Sequence, residues 1–236
     1  VDYLLLKKWL APLSVILIFV LQYLFFSVSS KAVFRDERYI QNVCRSIHEK
    51  RHPYWDRYLV VRKALSAEDC DALVSESESY ANQHGWANDR HVDYPTNDNA
   101  VTSDWRNYPI ISKFYRRVLL PRMSNNYALI KRYFGINELF LVKYSAQGQR
   151  SLKSHRDDSE FSFILALNDG YVGGGTRFTD LGKTVYLEKG DLLVFSGQMR
   201  HQGMQVRKGD RYLLVGFLNY GGVDYCDNYL DDDSDD

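Results

Sequence analysis

Three residues in this chain have the types needed to hold a divalent metal on one face while leaving the other face open: His155, Asp157 and His201. His155 and Asp157 stand two apart at the start of the stretch FSFILALN, and in an extended chain residues i and i+2 point to the same side of the pleat. His201 follows DLLVFSG and its turn, so an antiparallel sheet can bring it beside that pair. Two imidazoles and one carboxylate so arranged form a facial triad, which suits iron(II) and leaves room for a two-pronged co-substrate and oxygen. Arg211 opens the stretch RYLLVGFLNY, where its planar guanidinium can grip the far carboxylate of a dicarboxylate. Arg207, in a turn before Gly209, is the fallback for that role. Tyr144 ends LFLVKYS and can donate its hydroxyl to the same carboxylate. An isolated H-x-D is a weak signal, because surface His-Asp pairs are common, and each histidine alone is more often structural. The weight rests on the five residues occurring together at compatible strand positions.

The elements that must position them change character along the chain. YLVVRKAL, from Tyr58, reads as a strand, and Ser66-Ala-Glu-Asp69 resembles a capping box that opens a helix ending at His84 before Gly85. That helix is expected to turn Leu73, Val74 and Tyr80 inward. A second helical stretch over 110–134 carries Tyr115, Val118, Leu119, Met123, Tyr127 and Ile130 at helical spacing, with Pro121 as a kink or boundary. Its aromatic residues read as core. After Gly135 come short apolar runs separated by turn residues: LFLVKYS, FSFILALN, TRFTDL, KTVYLE, DLLVFSG and RYLLVGFLNY. This spacing predicts an antiparallel sandwich or barrel, mainly β with flanking helices, rather than a parallel α/β sheet. Gly173-Gly174-Gly175 marks a tight turn and not a phosphate loop, since no helix start with Lys-Ser/Thr follows it.

The segments LVKYSAQGQRSLKSHRDDSEFSFILALN, GGGTRF, KGDLLVFSGQMRHQG and KGDRYLLVGFLNY resemble the 2-oxoglutarate/Fe(II)-dependent dioxygenase superfamily. Within it they are most similar to prolyl 4-hydroxylase and procollagen lysyl hydroxylase catalytic domains, over about Tyr58 to Tyr220, with YPTND at Tyr94 recurring in some relatives. The resemblance implies a double-stranded β-helix, or jelly roll. It also implies iron held by His155, Asp157 and His201, 2-oxoglutarate contacted by Arg211 and Tyr144, and ascorbate as the reductant that keeps the iron reduced. The implied reaction hydroxylates an unactivated C–H, at a peptidyl prolyl or lysyl side chain, with release of succinate and CO2. A departure is Ile164, where the lysyl enzymes carry a polar residue. Fold does not carry substrate, so a small-molecule or lipid hydroxylase, and a non-catalytic jelly-roll binding module, stay as alternatives. The intact triad with Arg211 argues against the binding module.

Outside those motifs, Asp158 is expected to face solvent, and His48, His52 and His84 to be surface or structural. His91 is a candidate for lining the substrate cleft. Trp86, Arg90, Tyr94 and Asp98 lie in a loop that either covers the site or packs against the barrel.

Thirty basic residues balance thirty acidic ones in 236, so no global field points to nucleic acid. Trp9 to Val28 is apolar enough to cross a bilayer, which predicts a transmembrane signal anchor over 1–29 and single-pass attachment to a membrane. A cleaved signal peptide is the rival reading, given the small residues at 27–32. Lys7 and Lys8 on one flank and Lys31, Arg35 and Arg38 on the other leave the charge balance neutral on orientation. A stem over 30–57, a catalytic domain over 58–222 and an acidic, disordered tail over 223–236 complete the expected organisation. With the resemblance, the anchor implies an endoplasmic reticulum or Golgi enzyme with a lumenal catalytic domain. Cys44, Cys70 and Cys226 are too few and too scattered for a disulfide framework.

Overall fold

The computed structural model describes residues 57–127 and 134–220. The anchor, the stem up to residue 56, the acidic tail, and His48, His52, Cys44 and Cys226 lie outside the described residues. Among the described residues no helix is long and apolar enough to cross a membrane.

The chain enters through strand β1 (Tyr58–Val61), which is shorter than YLVVRKAL suggests. Lys63 takes a positive φ of 51° and turns the chain toward helix α1 (Ala67–His84). Ser66 caps that helix by accepting a hydrogen bond from the Asp69 amide at 3.1 Å, with Glu68 and Asp69 in the first turn beside the helix dipole's positive end. The buried stripe of α1 is Cys70, Leu73 and Ser77. Leu73 is inward as expected, Val74 is half-buried, and Tyr80 is exposed. Tyr80 instead stacks on the exposed His84 and the buried Trp105, at 4.2 and 5.9 Å between ring centroids.

Strand β2 (Asp98–Ala100) precedes the second helical stretch, which begins two residues before position 110 and is interrupted just before Pro121, where the sequence predicts a kink or boundary. Helix α2 (Tyr108–Phe114) passes into a π-helical turn at Tyr115–Leu119 and continues as α3 (Leu120–Tyr127). The Leu120 amide donates to the carbonyl of Tyr115, five residues back. This wider turn sits directly before Pro121, whose ring would collide with the preceding helical carbonyl and which has no N–H to donate. Residues 128–133 are not described, and Phe134 starts a strand rather than ending a helix.

The remaining strands are β3 (Phe134–Ser145), β4 (Leu152–His155), β5 (Phe161–Ala166), β6 (Val172–Gly173), β7 (Thr176–Phe178), β8 (Lys183–Val185), β9 (Leu192–Ser196), β10 (His201–Gly203), β11 (Val206–Lys208) and β12 (Asp210–Tyr220). Each apolar run singled out in the sequence overlaps one of them, β3 and β12 reaching beyond their runs. They form antiparallel sheets: a six-stranded sheet in the order β1-β9-β5-β12-β3-β2, a four-stranded sheet in the order β4-β10-β7-β8, and the β6/β11 pair.

Alternation sorts the large sheet's side chains. Phe140, Val142, Ile164, Ala166, Leu193, Phe195 and Leu213 join Phe178 and Val185 of the small sheet in one core. The opposite face carries Phe161, Phe163 and Val194. It receives the helices through Phe114 against Phe163, Tyr127 against Phe161, and a hydrogen bond from the Tyr127 hydroxyl to the Val194 carbonyl at 3.2 Å. Covering on both sides explains why every residue of β5 is buried and why its run is continuously apolar apart from Ser162.

Candidate active site

His155 is the last residue of β4 and His201 the first of β10, and the two are register partners. Between them β4 carries one more residue than β10, since His201 pairs with His155 while Gly203 pairs with Leu152. This bulge lets both Leu152 and His155 face the cavity, where strict alternation would part them. The sequence reading set His155 and Asp157 at the start of FSFILALN. Instead His155 closes β4 in the small sheet and Asp157 lies in the connection to β5, so a strand pleat is not what aligns them. The Asp157 amide donates to the Gly197 carbonyl at 2.9 Å, which anchors the backbone of that connection beside the end of β9.

The candidate ligand atoms of His155, Asp157 and His201 all lie within 4.8 Å of one another. His155 Nε2 is 3.3 Å from Asp157 Oδ1, and His201 Nε2 is 3.7 Å from Asp157 Oδ2. Metal bonds of about 2.1 Å suit donors roughly 3 Å apart, a spacing that the His155 and Asp157 atoms already approach. His155 Nδ1 lies 2.8 Å from the Lys153 carbonyl and His201 Nδ1 lies 3.0 Å from the Met199 carbonyl. Each carbonyl can only accept, so each Nδ1 carries the proton and each Nε2 presents its lone pair to the shared centre. Burial pushes the His201 imidazole below its usual range despite the opposing pull of Asp157, which keeps it neutral and ligand-competent. Burial would raise the Asp157 carboxyl, but its close contacts with His155, His201 and the Ser162 hydroxyl together hold it below the usual range. Tyr94 stacks on His155 at 4.8 Å and Phe195 meets His201 edge-on at 4.6 Å, so aromatic walls fix both rings.

Arg211 and Tyr144 are register partners across β12 and β3 and face the same cavity. Arg211 is 1% exposed. Its Nη1 donates to the Gly175 carbonyl at 3.3 Å, while Nε and Nη2 are buried without a hydrogen-bond partner. A buried guanidinium with two idle N–H groups is costly, and it marks a place for an anion. The Tyr144 phenol is pushed up to about 12 by burial, with Arg211 opposing, so it stays an O–H donor at neutral pH. Arg207 is exposed on β11 and absent from the cavity wall, which removes it as the fallback because its strand turns it to solvent.

The cavity has a volume of about 570 Å³ and is lined by the triad, by Arg211, Tyr144 and Thr176, and by His91, Tyr94, Glu138 and Phe217. Asp158 is exposed at its edge, and Ile164 lies in its lining. The loop before β2 is divided. Arg90 bridges Asp98 and Glu138, His91 packs on Phe140 at 4.8 Å, and Trp86 turns away to the Tyr212 side.

Sequence reasoning missed two supports. Ser162 donates to Asp157 Oδ2 at 2.5 Å, and its lone polar side chain in an apolar strand was the available signal. The glycine triplet was read as a turn only. It also forms the wall against which Arg211 lies, since a Cβ on Gly174 would sit 3.1 Å from Arg211 Cδ and its φ is +70°.

No protein-family model matches the chain. Among curated proteins it is 30% identical over 175 residues to human procollagen-lysine,2-oxoglutarate 5-dioxygenase 2, covering 66% of this chain and 22% of the relative. It is 28% identical over 204 residues to the multifunctional procollagen lysine hydroxylase and glycosyltransferase of Caenorhabditis elegans, covering 74% and 27%. The chain therefore spans about a quarter of the length of these relatives. Among solved structures, a prolyl-4-hydroxylase from Pseudomonas putida superposes with a TM-score of 0.55 at 18% identity, over 78% of this chain and all of that one. The collagen prolyl hydroxylase of Paramecium Bursaria Chlorella virus-1, solved with 2-oxoglutarate, gives 0.54 at 15% identity, over 69% and 95%. By sequence and by fold the chain resembles the 2-oxoglutarate/Fe(II)-dependent dioxygenases, with lysyl hydroxylases its relatives in sequence and prolyl hydroxylases its neighbours in structure.

Proposed function

We propose that this domain is an Fe(II)- and 2-oxoglutarate-dependent dioxygenase that hydroxylates an unactivated C–H on a peptidyl prolyl or lysyl side chain. The observation that carries the reading is the pairing, in one cavity, of the His155-Asp157-His201 cluster with a buried Arg211 whose Nε and Nη2 have no partner. The donor set is two neutral imidazoles and a carboxylate, which suits iron(II) and leaves positions open. The chemistry such a metal supplies is oxygen activation coupled to decarboxylation of 2-oxoglutarate to succinate and CO2, with one oxygen atom passing to the substrate C–H.

The chain's own residues do the rest. Arg211 grips the distal carboxylate of 2-oxoglutarate through its idle nitrogens, and Tyr144 donates its hydroxyl to the same group. Gly203 leaves room for that hydroxyl, since a Cβ there would sit 3.2 Å from it. The co-substrate's other end is thereby aimed at the triad. Phe195, Ile164 and Leu213 exclude water from the space between. Ascorbate, as the reductant, belongs to the same reading. A protein or peptide substrate is supported by the names of the relatives and by a structural neighbour from Trichoplax adhaerens, a prolyl hydroxylase solved with a hypoxia inducible factor peptide (TM-score 0.56).

The test is 2-oxoglutarate-dependent succinate formation by the full chain loaded anaerobically with Fe(II) and then exposed to oxygen, with Pro- and Lys-containing peptides. Succinate that rises with one peptide class, together with a mass gain of one oxygen on that peptide, is the expected result. Absence of both iron binding and succinate would overturn it.

A further inference from the structure

The connection between His155 and β5 holds a short chain of buried hydroxyls that the proposed reaction does not itself require. Ser162 Oγ is 2.5 Å from Asp157 Oδ2, and Ser159 Oγ is 2.9 Å from Ser162 Oγ. Ser162 is fully buried, Ser159 is 6% exposed and Asp157 8% exposed, so water does not compete for these bonds. Asp157 Oδ2 can only accept, which makes the Ser162 hydroxyl the donor and leaves its own oxygen free to accept from Ser159. The proton direction is thus Ser159 to Ser162 to Asp157. The backbone locks the same loop, because the Asp157 amide donates to Gly197 and the Gly197 amide to Glu160, at 2.9 and 3.1 Å.

A carboxylate can bind a metal through one oxygen or two. An octahedral ion has six positions, and two imidazoles with a one-oxygen carboxylate leave three, enough for a two-pronged co-substrate and oxygen. A two-oxygen carboxylate would leave too few. We propose that Ser162, backed by Ser159, is a positioning residue that engages Asp157 Oδ2 and so presents Oδ1 as the single oxygen available to the metal. This rests on the iron reading above. Asp157 Oδ1 lies 3.3 Å from His155 Nε2, while Oδ2, the oxygen that Ser162 engages, lies farther from the other imidazole, at 3.7 Å from His201 Nε2.

The test is anaerobic titration of the full chain with Co(II), followed by visible absorption, whose shape and intensity report coordination number, and then by addition of 2-oxoglutarate. Wild type, Ser162→Ala, Ser162→Thr and Ser159→Ala are compared, with circular dichroism to check folding. Loss of a residue that orients a ligand weakens metal affinity about 10- to 100-fold. Ser162→Ala is expected to fall in that range, to change the Co(II) spectrum, and to lose the spectral response to 2-oxoglutarate, while Ser162→Thr, which keeps the hydroxyl, restores all of these. Should Ser162→Ala not fold, Ser159→Ala must shift affinity and spectrum in the same direction. Wild-type affinity and spectrum in both alanine variants would overturn the proposal and leave the iron reading standing. Failure of the wild type to bind Fe(II) or Co(II) would remove the iron reading, and this inference with it.

Discussion

His201 sits directly opposite His155 in the antiparallel pairing of β10 with β4, and their rings are 4.3 Å apart between centroids. A cross-strand pair of this kind, with the Nδ1 hydrogen bonds and aromatic walls around it, holds two imidazoles together before any ion binds. Replacing either histidine with alanine should therefore leave the fold intact and remove the metal. Iron affinity, measured anaerobically by calorimetry, should fall beyond the roughly 100-fold loss typical of an outer-sphere support. Succinate formation should disappear with it. Unchanged iron affinity in either variant would dismiss that histidine as a ligand.

Arg211 combines burial with two idle donors, so without co-substrate it should destabilise the protein it belongs to. Arg211→Met is expected to raise the melting temperature of the unliganded protein and to remove the stabilisation by 2-oxoglutarate. For the metal-loaded wild type, ligand at 100 times its Kd adds about 2.7 kcal/mol. Losing two charge-assisted hydrogen bonds at about 1.5–3 kcal/mol each should raise the KM for 2-oxoglutarate by at least roughly 100-fold. Thermal unfolding with and without 2-oxoglutarate checks both halves. A variant still stabilised by 2-oxoglutarate would place the co-substrate elsewhere.

What the sequence disclosed and what it hid follow from the range of the interactions involved. The large-sheet strands were readable because their apolar runs are local, and Arg211 and Tyr144 because Arg211 opens one such run and Tyr144 stands at the end of another. The partnering of those two across β3 and β12 depends on a chain separation that no local pattern records. The structure brings His155, Asp157 and His201 together, but not in the way the sequence predicts. Strand alternation predicted that His155 and Asp157 converge, yet Asp157 lies beyond the end of β4, in a connection anchored by the Gly197 carbonyl. Tyr80 is not turned inward as expected, since helical spacing alone cannot distinguish a core aromatic from an exposed one stacked on its neighbours His84 and Trp105. The π-turn before Pro121 shows the same limit, since a proline announces a disturbance without specifying its form.

Gly197 has an ordinary backbone conformation, so its importance is steric. A Cβ there would lie 2.1 Å from the Ser159 carbonyl oxygen and 2.5 Å from Ser159 Oγ. Gly197→Ala should push away the loop that carries Asp157 while leaving the sheet pairing of β9 in place. Overpacking of this kind costs about 1–3 kcal/mol. The larger effect should be on the metal, with Co(II) affinity reduced more than the melting temperature alone would suggest. An alanine variant with wild-type metal affinity would mean that the loop adapts without moving the carboxylate.

Asp191 ties the turn after β1 to the turn before β9, and its ionisation gives the fold an acid-sensitive joint. Its carboxylate accepts from the Glu188 amide at 2.9 Å, the Lys63 amide at 3.0 Å and Arg62 Nη1 at 2.5 Å. Burial pushes this carboxyl up, but the two amides and Arg62 outweigh it and hold the pKa below the usual range. A folded-state pKa below the unfolded value means that the native state binds fewer protons near the titration. The stabilisation is then fully present above the unfolded pKa of about 3.9 and is lost as pH falls through the lower, folded value. Asp191→Asn should lower the melting temperature at neutral pH, and the gap between variant and wild type should narrow as pH drops below about 4. Lys63 holds a left-handed conformation that one of these bonds secures, so hydrogen exchange at residues 62–65 should accelerate in the variant before the rest of the sheet is affected. Melting curves from pH 3 to 7 decide the matter: a gap that stays constant with pH would show that Asp191 acts by packing and not by charge.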